Sequence, residues 1–314
     1  MAMADGKEGI MASELELPLV SAVIPTRNRP ELVCRAIRSA LTQTYPNLEV
    51  IVVVDGPDSA TLTALGAFRG SKVQVVDLDQ NVGLSEARNR GFRRSRGAWI
   101  AFLDDDDEWL PRKIEMQVAL AESIGGGHQF VVHRFVERLG SGDRIMPRIL
   151  PTSPEKFSEY IYCQKGFLQP STFFMDRELL EEVPFTTGLR HIEDSDWMLR
   201  AMQTTGVRVA AVPEVLSIYN NIPTGNRESE TTPWLYAYNW ALRNRSLFSA
   251  RAFPYYMALL CTSARAQHSS ISVFFRLFRA ARTQGSLEFQ SALRFFASCF
   301  IPRPLLKSLA AKLG

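Results

Sequence analysis

The sequence is poor in the residues that build disulfide scaffolds and zinc sites. It has 4 cysteines and 4 histidines in 314 residues, and no two cysteines have the C-x-x-C spacing of a zinc or redox motif. The cysteines are Cys34, Cys163, Cys261 and Cys299. Their scatter indicates neither a disulfide framework nor a zinc site, and it fits a reducing compartment. We therefore expect a cytoplasmic protein.

Long apolar runs are also missing. No segment reaches the ~18 apolar residues that a transmembrane helix needs. The nearest, residues 252–264, is bounded by Arg251 and Arg265, which favours a buried helix. Residues 1–17 lack the basic start and apolar stretch of a signal peptide. Their polar, small-residue composition predicts a disordered leader.

Acidic residues are nearly absent from the last quarter of the chain. Residues 233–314 contain eleven Lys or Arg and one acid, Glu288, although the whole chain carries a net charge of only +3. Such an asymmetry indicates an acidic partner or an anionic membrane surface for the basic end. Nucleic acid is a poor fit, because the arginines alternate with apolar residues and no recognisable nucleic-acid module is present.

The first half of the chain alternates strand and helix patterns. Apolar, β-branched runs predict strands at 20–24, 48–54, 73–77 and 98–103. Helical spacing predicts helices at 30–42, 59–68 and 85–95. This alternation is typical of an α/β fold with a mainly parallel sheet, whose ligands gather at the carboxyl ends of the strands.

The second half is less regular. We predict a helix at 111–124, a strand at 129–137, a loop at 139–154, a helix after Ile192 and a strand at 207–212. From Trp234 onward every pattern is helical. The sequence therefore divides into a leader (1–17), a catalytic α/β domain (18–232) and a basic amphipathic helical region (233–314).

Five consecutive acids, Asp104 to Glu108, directly follow the fourth predicted strand. Adjacent carboxylates repel one another, and their hard oxygens suit Mg²⁺ or Mn²⁺, which could also clamp a diphosphate. The alternative is a solvated acidic turn that caps the helix starting near Pro111, since acids are favoured at helix N-termini. The position at a strand's carboxyl end favours the metal.

Several segments together resemble the inverting family 2 glycosyltransferases with the GT-A fold. Residues 39–49 match the family pattern S-x-x-x-Q-T-Y-P-N-x-E, residues 81–91 match N-x-G-x-x-x-A-R-N-x-G, and residues 102–111 match its D-x-D region. Residues 20–29 and 52–56 resemble its first strand and its V-V-D-D-G segment. The resemblance extends over residues 20–220. Val54 and Pro57 depart from the pattern at the nucleobase-binding segment.

The resemblance implies a nucleotide-sugar site with named residues. The resemblance assigns the nucleoside pocket to Pro25, Thr26, Arg27 and Asp55. It places Gly83 and Arg88 near the base and the diphosphate. In the D-x-D region the resemblance assigns Asp106 to the metal and Asp104 to the ribose or a metal-bound water, with Asp105 as a close alternative. Residues 169–174 correspond to the acceptor cleft. Without the resemblance, Asp55 would be a turn residue beside a helix-capping Asp58, Arg88 part of a solvated basic face, and Phe173 and Phe174 core residues.

A second acidic cluster, at residues 191–197, resembles the motif that supplies the family's catalytic base. In a helix, Asp194 and Asp196 point about 200° apart. Asp196 can form a surface ion pair with Arg200, whereas Asp194 shares the apolar face, where desolvation raises a carboxyl pKa and suits a base. We assign Asp194 as the base and Glu193 as a substrate-orienting residue. The alternative is that Asp194 caps the helix.

Together these features predict a metal-dependent inverting glycosyltransferase that takes its sugar from a nucleotide-sugar, with UDP the expected nucleotide on family grounds. The acceptor is expected to be a saccharide or a lipid-linked saccharide in polysaccharide or glycolipid assembly. A non-catalytic binding scaffold of the same fold is one alternative. A sugar nucleotidyltransferase is another, although the Gly-rich phosphate loop expected of it is missing near Pro25.

The basic region contains two amphipathic patterns. One carries Ile271, Phe274, Phe275 and Phe278, with Arg276, Arg279 and Arg282 on another face; the second carries Phe289, Leu293, Phe296 and Phe300. Basic amphipathic helices with aromatic residues can lie on anionic membranes. This reading predicts peripheral attachment to the inner face of the cell membrane. The alternative is that the apolar faces cover the catalytic domain or a homodimer partner.

Overall fold

The structure, a computed structural model, describes residues 17–70, 72–221, 233–267 and 269–300. All but the last residue of the predicted leader lies outside this part of the chain. The first half folds as four strands and three helices: β1 Val20–Thr26, α1 Pro30–Leu41, β2 Leu48–Val54, α2 Ser59–Leu65, β3 Val73–Asp77, α3 Leu84–Arg94 and β4 Trp99–Phe102. Each was predicted from the sequence to within a few residues.

The second half of the sheet region is more irregular. Its elements are β5 Glu108–Trp109, α4 Lys113–Ile124, β6 Gln129–Leu139, β7 Gly142–Met146, α5 Phe157–Tyr162, β8 Phe174–Asp176, α6 Arg177–Glu182, α7 Glu193–Ala201 and β9 Arg208–Asn220. Four helices follow: α8 Trp234–Arg243, α9 Ala252–Ala266, α10 Ile271–Gln284 and α11 Phe289–Phe300. The prediction of an all-helical C-terminal region is confirmed for the described residues.

The strands form one mixed sheet in the order β3-β2-β1-β4-β8-β6-β9-β5, and β7 pairs with β6. Strands β1, β2, β3 and β4 pair with one another in parallel. Strand β8 is antiparallel to both β4 and β6. The first four strands are thus a conventional α/β unit, to which a mixed extension is added.

Helices cover both faces of the parallel strands. Alternate residues of one strand point to opposite faces, so Val23 enters one core while Ala22 and Ile24 enter the other. The first core includes Trp197 of α7, and the second includes Ile37 of α1. Burial on both sides explains why β1, β2 and β4 are mostly apolar rather than alternating.

The predicted loop at 139–154 is wrong in part, because residues 142–146 form strand β7. Its side chains are mostly exposed, so the strand has no apolar alternation for a sequence pattern to reveal. It forms by pairing antiparallel with the end of β6, from Phe135 to Leu139. Strand β9 is also longer than the predicted 207–212, because it stays paired with β6 as far as Asn220.

The C-terminal helices pack on the α/β unit through a third apolar core. That core joins Trp240 of α8, Phe253 of α9 and Leu277 of α10 to Leu199 of α7. Trp240 also donates its indole N–H to Asp196 of α7 at 2.9 Å. Of the two amphipathic patterns, Phe274 and Phe278 pack against this core, whereas the other described apolar residues of these patterns are exposed: Ile271, Phe275, Phe289, Leu293 and Phe296. In the described ranges, no helix has both the length and the apolar character that crossing a bilayer requires.

Candidate active site

Three adjacent parallel strands bring polar residues to one edge of the sheet. Strand β1 lies between β2 and β4, so Thr26, Asp55 and Asp104, at or just after the ends of these strands, meet at their shared carboxyl edge. This is the edge where ligands bind in parallel sheets. The polar residues that follow the predicted strands therefore lie together at one edge of the sheet, as the sequence predicts.

Asp55 fixes the loop that leads into α3. Its carboxylate accepts the backbone N–H of Val82 at 2.7 Å and that of Gly83 at 3.0 Å. Gly83 adopts a φ of +84°, a conformation that glycine reaches without the penalty a Cβ would impose. Asp58 accepts the N–H of Thr61 and so caps α2 as its alternative reading predicted. Both oxygens of Asp55 are engaged by the protein backbone here.

We call residues 104–108 the acidic loop. Its carboxylates are consecutive in the sequence, but in the structure they point to different partners. Asp105 turns back to the end of β1, where it accepts the hydroxyl of Thr26 at 2.7 Å and Arg29 at 2.9 Å. Burial raises the pKa of Asp105 to about 6, and Arg29 opposes that shift. Asp106 lies near the same guanidinium, at 3.3 Å.

Pro25 is buried within β1, whereas Arg27 is exposed just beyond its end. These two predicted nucleoside-site residues therefore differ in access. Arg27 faces solvent at the carboxyl edge, whereas the side chain of Pro25 does not. Their predicted contacts with a nucleoside stay predictions.

Arg88 is the centre of the site. It lies on α3 with its side chain fully buried, and it binds Asp104 of the acidic loop at 2.8 Å and Asp194 of α7 at 2.7 Å. Its guanidinium also lies 5.2 Å from the ring centre of Phe185. The solvated-face alternative is excluded for Arg88, although it holds for its exposed neighbours Arg90 and Arg93. The guanidinium serves two carboxylates rather than solvent.

Asp194 is held in the environment that a base requires. Removal of water from its carboxyl is the main cause that raises its pKa to about 7, with Glu193 and Asp104 adding to the shift and Arg88 opposing it. The side chain is still 35% exposed, so it is accessible from solvent. No side chain caps α7, whose N-cap is Ile192, so the helix-capping alternative for Asp194 is excluded.

Glu193 precedes Asp194 in the first turn of α7 and has a free hydrogen-bonding position. Its Oε2 is buried and has no hydrogen-bond partner among the described residues. A buried acceptor without a partner is costly, and such an atom gains from a donor supplied by a ligand. The geometry is suited to a hydroxyl group bound beside Asp194.

The predicted surface ion pair of Asp196 is wrong in one respect. Asp196 does pair with Arg200, at 2.8 Å, but its side chain is buried rather than exposed. It also accepts hydrogen bonds from Thr186 and Trp240. The sequence could not show this, because Trp240 belongs to the C-terminal helices that pack over α7.

From the sequence, Asp107 has no individual role, and Ser171 is placed only in the segment 169–174 that the resemblance assigns to the acceptor cleft. Asp107 is fully buried, and it accepts the hydroxyl of Ser171 at 2.6 Å and the N–H of Asn220 at 3.1 Å. Burial raises its pKa well above the ordinary value, and Asp106 and Asp104 add to the shift. Because residues 104–107 are all aspartate, the sequence alone cannot distinguish the structural Asp107 from its neighbours. Phe173 and Phe174 are fully buried, so their core-packing alternative is confirmed.

The site has hard oxygen donors for a divalent cation but no complete protein cage. In the described ranges, no three His, Cys, Asp or Glu side chains are grouped so that they could hold a metal. Asp104 and Asp106 remain partly exposed at the strand edge, at 25% and 22% of their side chains. Mg²⁺ is commonly held by one or two carboxylates plus substrate phosphates and water, so this donor set fits a cation that arrives with a diphosphate.

Comparison with known proteins identifies the family. Residues 21–184, more than half of the chain, match the family described as Glycosyl transferase family 2. The chain therefore belongs to glycosyl transferase family 2, and it is a glycosyltransferase. The family resemblance carried by the sequence motifs is confirmed.

Curated relatives are similar over most of the chain. The amylovoran biosynthesis glycosyltransferase AmsB of Erwinia amylovora is 26% identical over 249 residues, which span 74% of this chain and 82% of AmsB. The UDP-Glc:alpha-D-GlcNAc-diphosphoundecaprenol beta-1,3-glucosyltransferase WfgD of Escherichia coli is 34% identical over 176 residues, which span 56% of this chain and 66% of WfgD.

Solved structures share the architecture at low identity. S. aureus TarS in complex with UDP-GlcNAc superposes with a TM-score of 0.58 and 18% identity, covering 89% of this chain and 79% of TarS. The mannosyltransferase PcManGT from Pyrobaculum calidifontis, in complex with GDP-Man and Mn²⁺, gives 0.51 and 18%, covering 94% and 79%. The predicted GT-A fold is confirmed.

Replacing Arg88 by Met should destabilise the protein strongly. The change leaves Asp104 and Asp194 without the cation between them, and removing one partner of a buried pair typically costs about 3–5 kcal/mol. Because both carboxylates are partly exposed, we expect a loss near the lower end, roughly 3 kcal/mol. Urea unfolding at pH 7.5 measures it.

Arg90→Met on the same helix is the control. Arg90 is exposed and pairs with Glu86 four residues earlier, so its loss should cost less than about 1 kcal/mol. Equal and small losses for both variants would show that Arg88 does not hold the acidic clusters together.

Proposed function

We propose that the protein transfers a sugar from a nucleoside diphosphate sugar to an acceptor hydroxyl with inversion of the anomeric carbon, and that it uses a divalent cation. The observation that carries this proposal is the buried Arg88, which holds a carboxylate of the acidic loop and a carboxylate of α7 on one guanidinium. A donor and an acceptor must meet in one site, and this contact joins the two halves of such a site. We assign the chemistry to residues 18–232.

The donor half is assigned to the carboxyl edge of β1, β2 and β4. Thr26, Arg27, Asp55 and Gly83 border the nucleoside there, with Pro25 behind them. Support comes from the rigid loop that Asp55 builds with Val82 and Gly83. UDP is the proposed nucleotide because WfgD is named for a UDP-glucose donor and TarS is solved with UDP-GlcNAc.

Asp106 and Asp104 are the proposed holders of Mn²⁺ or Mg²⁺. A cation bound there would neutralise charge on the leaving diphosphate. Asp105 is a weaker candidate than the sequence suggested, because Thr26 and Arg29 already occupy both of its oxygens. Asp104, paired with Arg88, is the better placed second ligand or ribose contact.

Asp194 is the proposed general base. Its carboxylate takes the acceptor's hydroxyl proton while that oxygen forms a bond to the anomeric carbon and the bond to the diphosphate oxygen breaks. A base with a pKa of about 7 is well matched to this task at neutral pH. Glu193 would accept a hydrogen bond from the acceptor through its unpartnered Oε2 and so orient it.

The acceptor class is inferred from relatives. AmsB is named for amylovoran biosynthesis, and WfgD is named for an acceptor linked to diphosphoundecaprenol. We propose that this chain likewise acts in polysaccharide or glycolipid assembly on a saccharide carried by a lipid. A binding scaffold without activity is the alternative, but a desolvated Asp194 beside an unpartnered Glu193 favours catalysis.

Nucleotide binding tests the donor site. Calorimetric titration of UDP, GDP and dTDP should show one nucleotide that binds tightly only with Mn²⁺. Asp106→Ala should weaken that binding by at least about 10- to 100-fold, the loss that removal of a residue supporting a metal ligand already causes. It should leave the weak metal-free binding unchanged.

Asp143→Ala is the matched control, since it removes an exposed carboxylate on β7. It should bind nucleotide as the wild type does. A folded wild type that binds no nucleotide with or without Mn²⁺ would contradict the proposed donor site.

We also propose that the outer face of α10 and α11 lies on an anionic membrane. Phe275 is 70% exposed on α10 and Phe289 is 82% exposed on α11. The rings of Phe278 and Phe296, 5.8 Å apart, connect the two helices, so their exposed apolar residues form one surface. We name this the α10–α11 surface; it comprises the exposed Ile271, Phe275, Phe289, Leu293 and Phe296, and the half-buried Phe278 lies between the two helices.

The charge around the α10–α11 surface favours lipid over a second copy of the chain. Arg276, Arg279 and Arg282 are exposed on α10, and neither helix contains an acid. A copy of the same surface would oppose like charges, whereas anionic headgroups would neutralise them. Lipid attachment would hold the site near a lipid-linked acceptor.

Flotation with vesicles tests this surface. The full chain should float with phosphatidylcholine mixed with phosphatidylglycerol and not with phosphatidylcholine alone. Phe275→Ser/Phe289→Ser should lower the bound fraction about tenfold or more, because two aromatic side chains no longer enter the interface.

Ile145→Ser/Ile149→Ser removes two exposed apolar side chains elsewhere and should leave flotation unchanged. If instead the wild type ignores anionic vesicles and the Phe275/Phe289 variant dissociates a dimer, the surface binds a second copy and the membrane proposal is wrong.

A further inference from the structure

Ser171 lies directly beneath the acidic loop and has no access to solvent. It belongs to the short helical turn Pro170–Thr172, in the segment predicted to line the acceptor cleft. Its relative exposure is 0%, so it cannot contact an acceptor. Its role must therefore be sought in what it holds.

Ser171 makes three contacts to the acidic loop and the strand after it. Its hydroxyl donates to Asp107 at 2.6 Å and accepts the backbone N–H of Asp104 at 3.0 Å. Its carbonyl accepts the indole N–H of Trp109 at 2.9 Å. One residue thus binds the beginning, the middle and the end of the segment that carries Asp106.

The support beneath Ser171 is rigid. Its own N–H donates to the side chain of Gln169 at 2.7 Å, and the carbonyl of the next residue, Thr172, accepts the amide of Gln117 at 3.0 Å. Gln117 also donates to the carbonyl of Val131 on β6 at 3.0 Å. The turn is therefore fastened to α4 and to the central sheet.

We propose that Ser171 is a positioning residue that fixes Asp104 and Asp106 in the geometry needed to receive a cation with its diphosphate. Asp106 has no direct bond to Ser171, but it lies between Asp104 and Asp107, both of which Ser171 holds. Side chains that orient metal-binding groups usually change metal affinity by 10- to 100-fold when they are removed. This inference rests on the proposed donor site.

Ser171→Ala tests the proposal through metal-dependent binding. The affinity for UDP measured by calorimetry with Mn²⁺ should fall by about tenfold or more, while the affinity without Mn²⁺ stays unchanged. In an Asp106→Ala background the same substitution should have a clearly smaller effect than in the wild type, because one of the two carboxylates it positions is gone. A general loss of stability would weaken both affinities and would add to Asp106→Ala.

Amide hydrogen exchange gives a second readout that needs no ligand. The N–H of Asp104 loses its acceptor in Ser171→Ala, so its exchange in the free protein should become at least about tenfold faster while the amides of β1 keep their rates. Ser158→Ala is the control: Ser158 is also buried, but its hydroxyl accepts the N–H of Ser249, on another part of the molecule.

The outcomes separate the two proposals. Wild type that binds none of UDP, GDP and dTDP, with or without Mn²⁺, overturns the donor site, and this inference with it. Wild type that binds, together with a Ser171→Ala variant whose metal-dependent affinity is unchanged, overturns the role of Ser171 alone. Faster exchange of Asp104 with a tenfold loss only in the presence of Mn²⁺ supports it.

Discussion

A single buried guanidinium, that of Arg88, holds the active centre together. Asp104 at the end of β4 and Asp194 at the start of α7 come from distant parts of the sequence, and each forms an ion pair with it. The two carboxylates would repel each other without it, and the Arg88 cation keeps the pKa of Asp194 from rising further. The acidic loop and the start of α7 are therefore one electrostatic unit.

The C-terminal helices stabilise that unit from behind. Trp240 of α8 donates a hydrogen bond to Asp196 of α7, and Leu199 of α7 shares a core with α9. These contacts hold α7 on a different face from the one that carries Asp194. The same helices leave the α10–α11 surface exposed on their outer side. The same helical region can thus support the proposed base, through α8 and α9, and carry the proposed membrane contact, on α10 and α11. Membrane binding would then orient the site toward the surface on which a lipid-linked acceptor lies.

The sequence was most informative where burial is uniform and least informative where contacts are long-range. Strands β1, β2 and β4 are buried along nearly their whole length and are mostly apolar, so the sequence predicted them correctly. Strand β7 was missed because its exposed side chains carry no pattern. In the acidic loop, periodicity cannot assign five consecutive acids. Asp105 faces Thr26 and Asp107 faces Ser171 only because of chain segments far away in sequence. Arg88 was placed at the site by resemblance, but its two partners needed the fold.

The most direct test is the ionisation of Asp194, followed by carbon NMR of aspartate carboxyls and assigned with Asp194→Asn. We predict that Asp194 has a pKa of about 7, far above the ordinary 3.8, and that this pKa is lower in Glu193→Gln, since Glu193 raises it. Between pH 3.8 and about 7 the folded protein keeps a proton on Asp194 that the unfolded chain has released. The contribution of Asp194 to the free energy of unfolding therefore falls as pH rises to about 7, and it does not change at higher pH. A carboxyl that titrates near 3.8 and ignores Glu193→Gln would contradict the account.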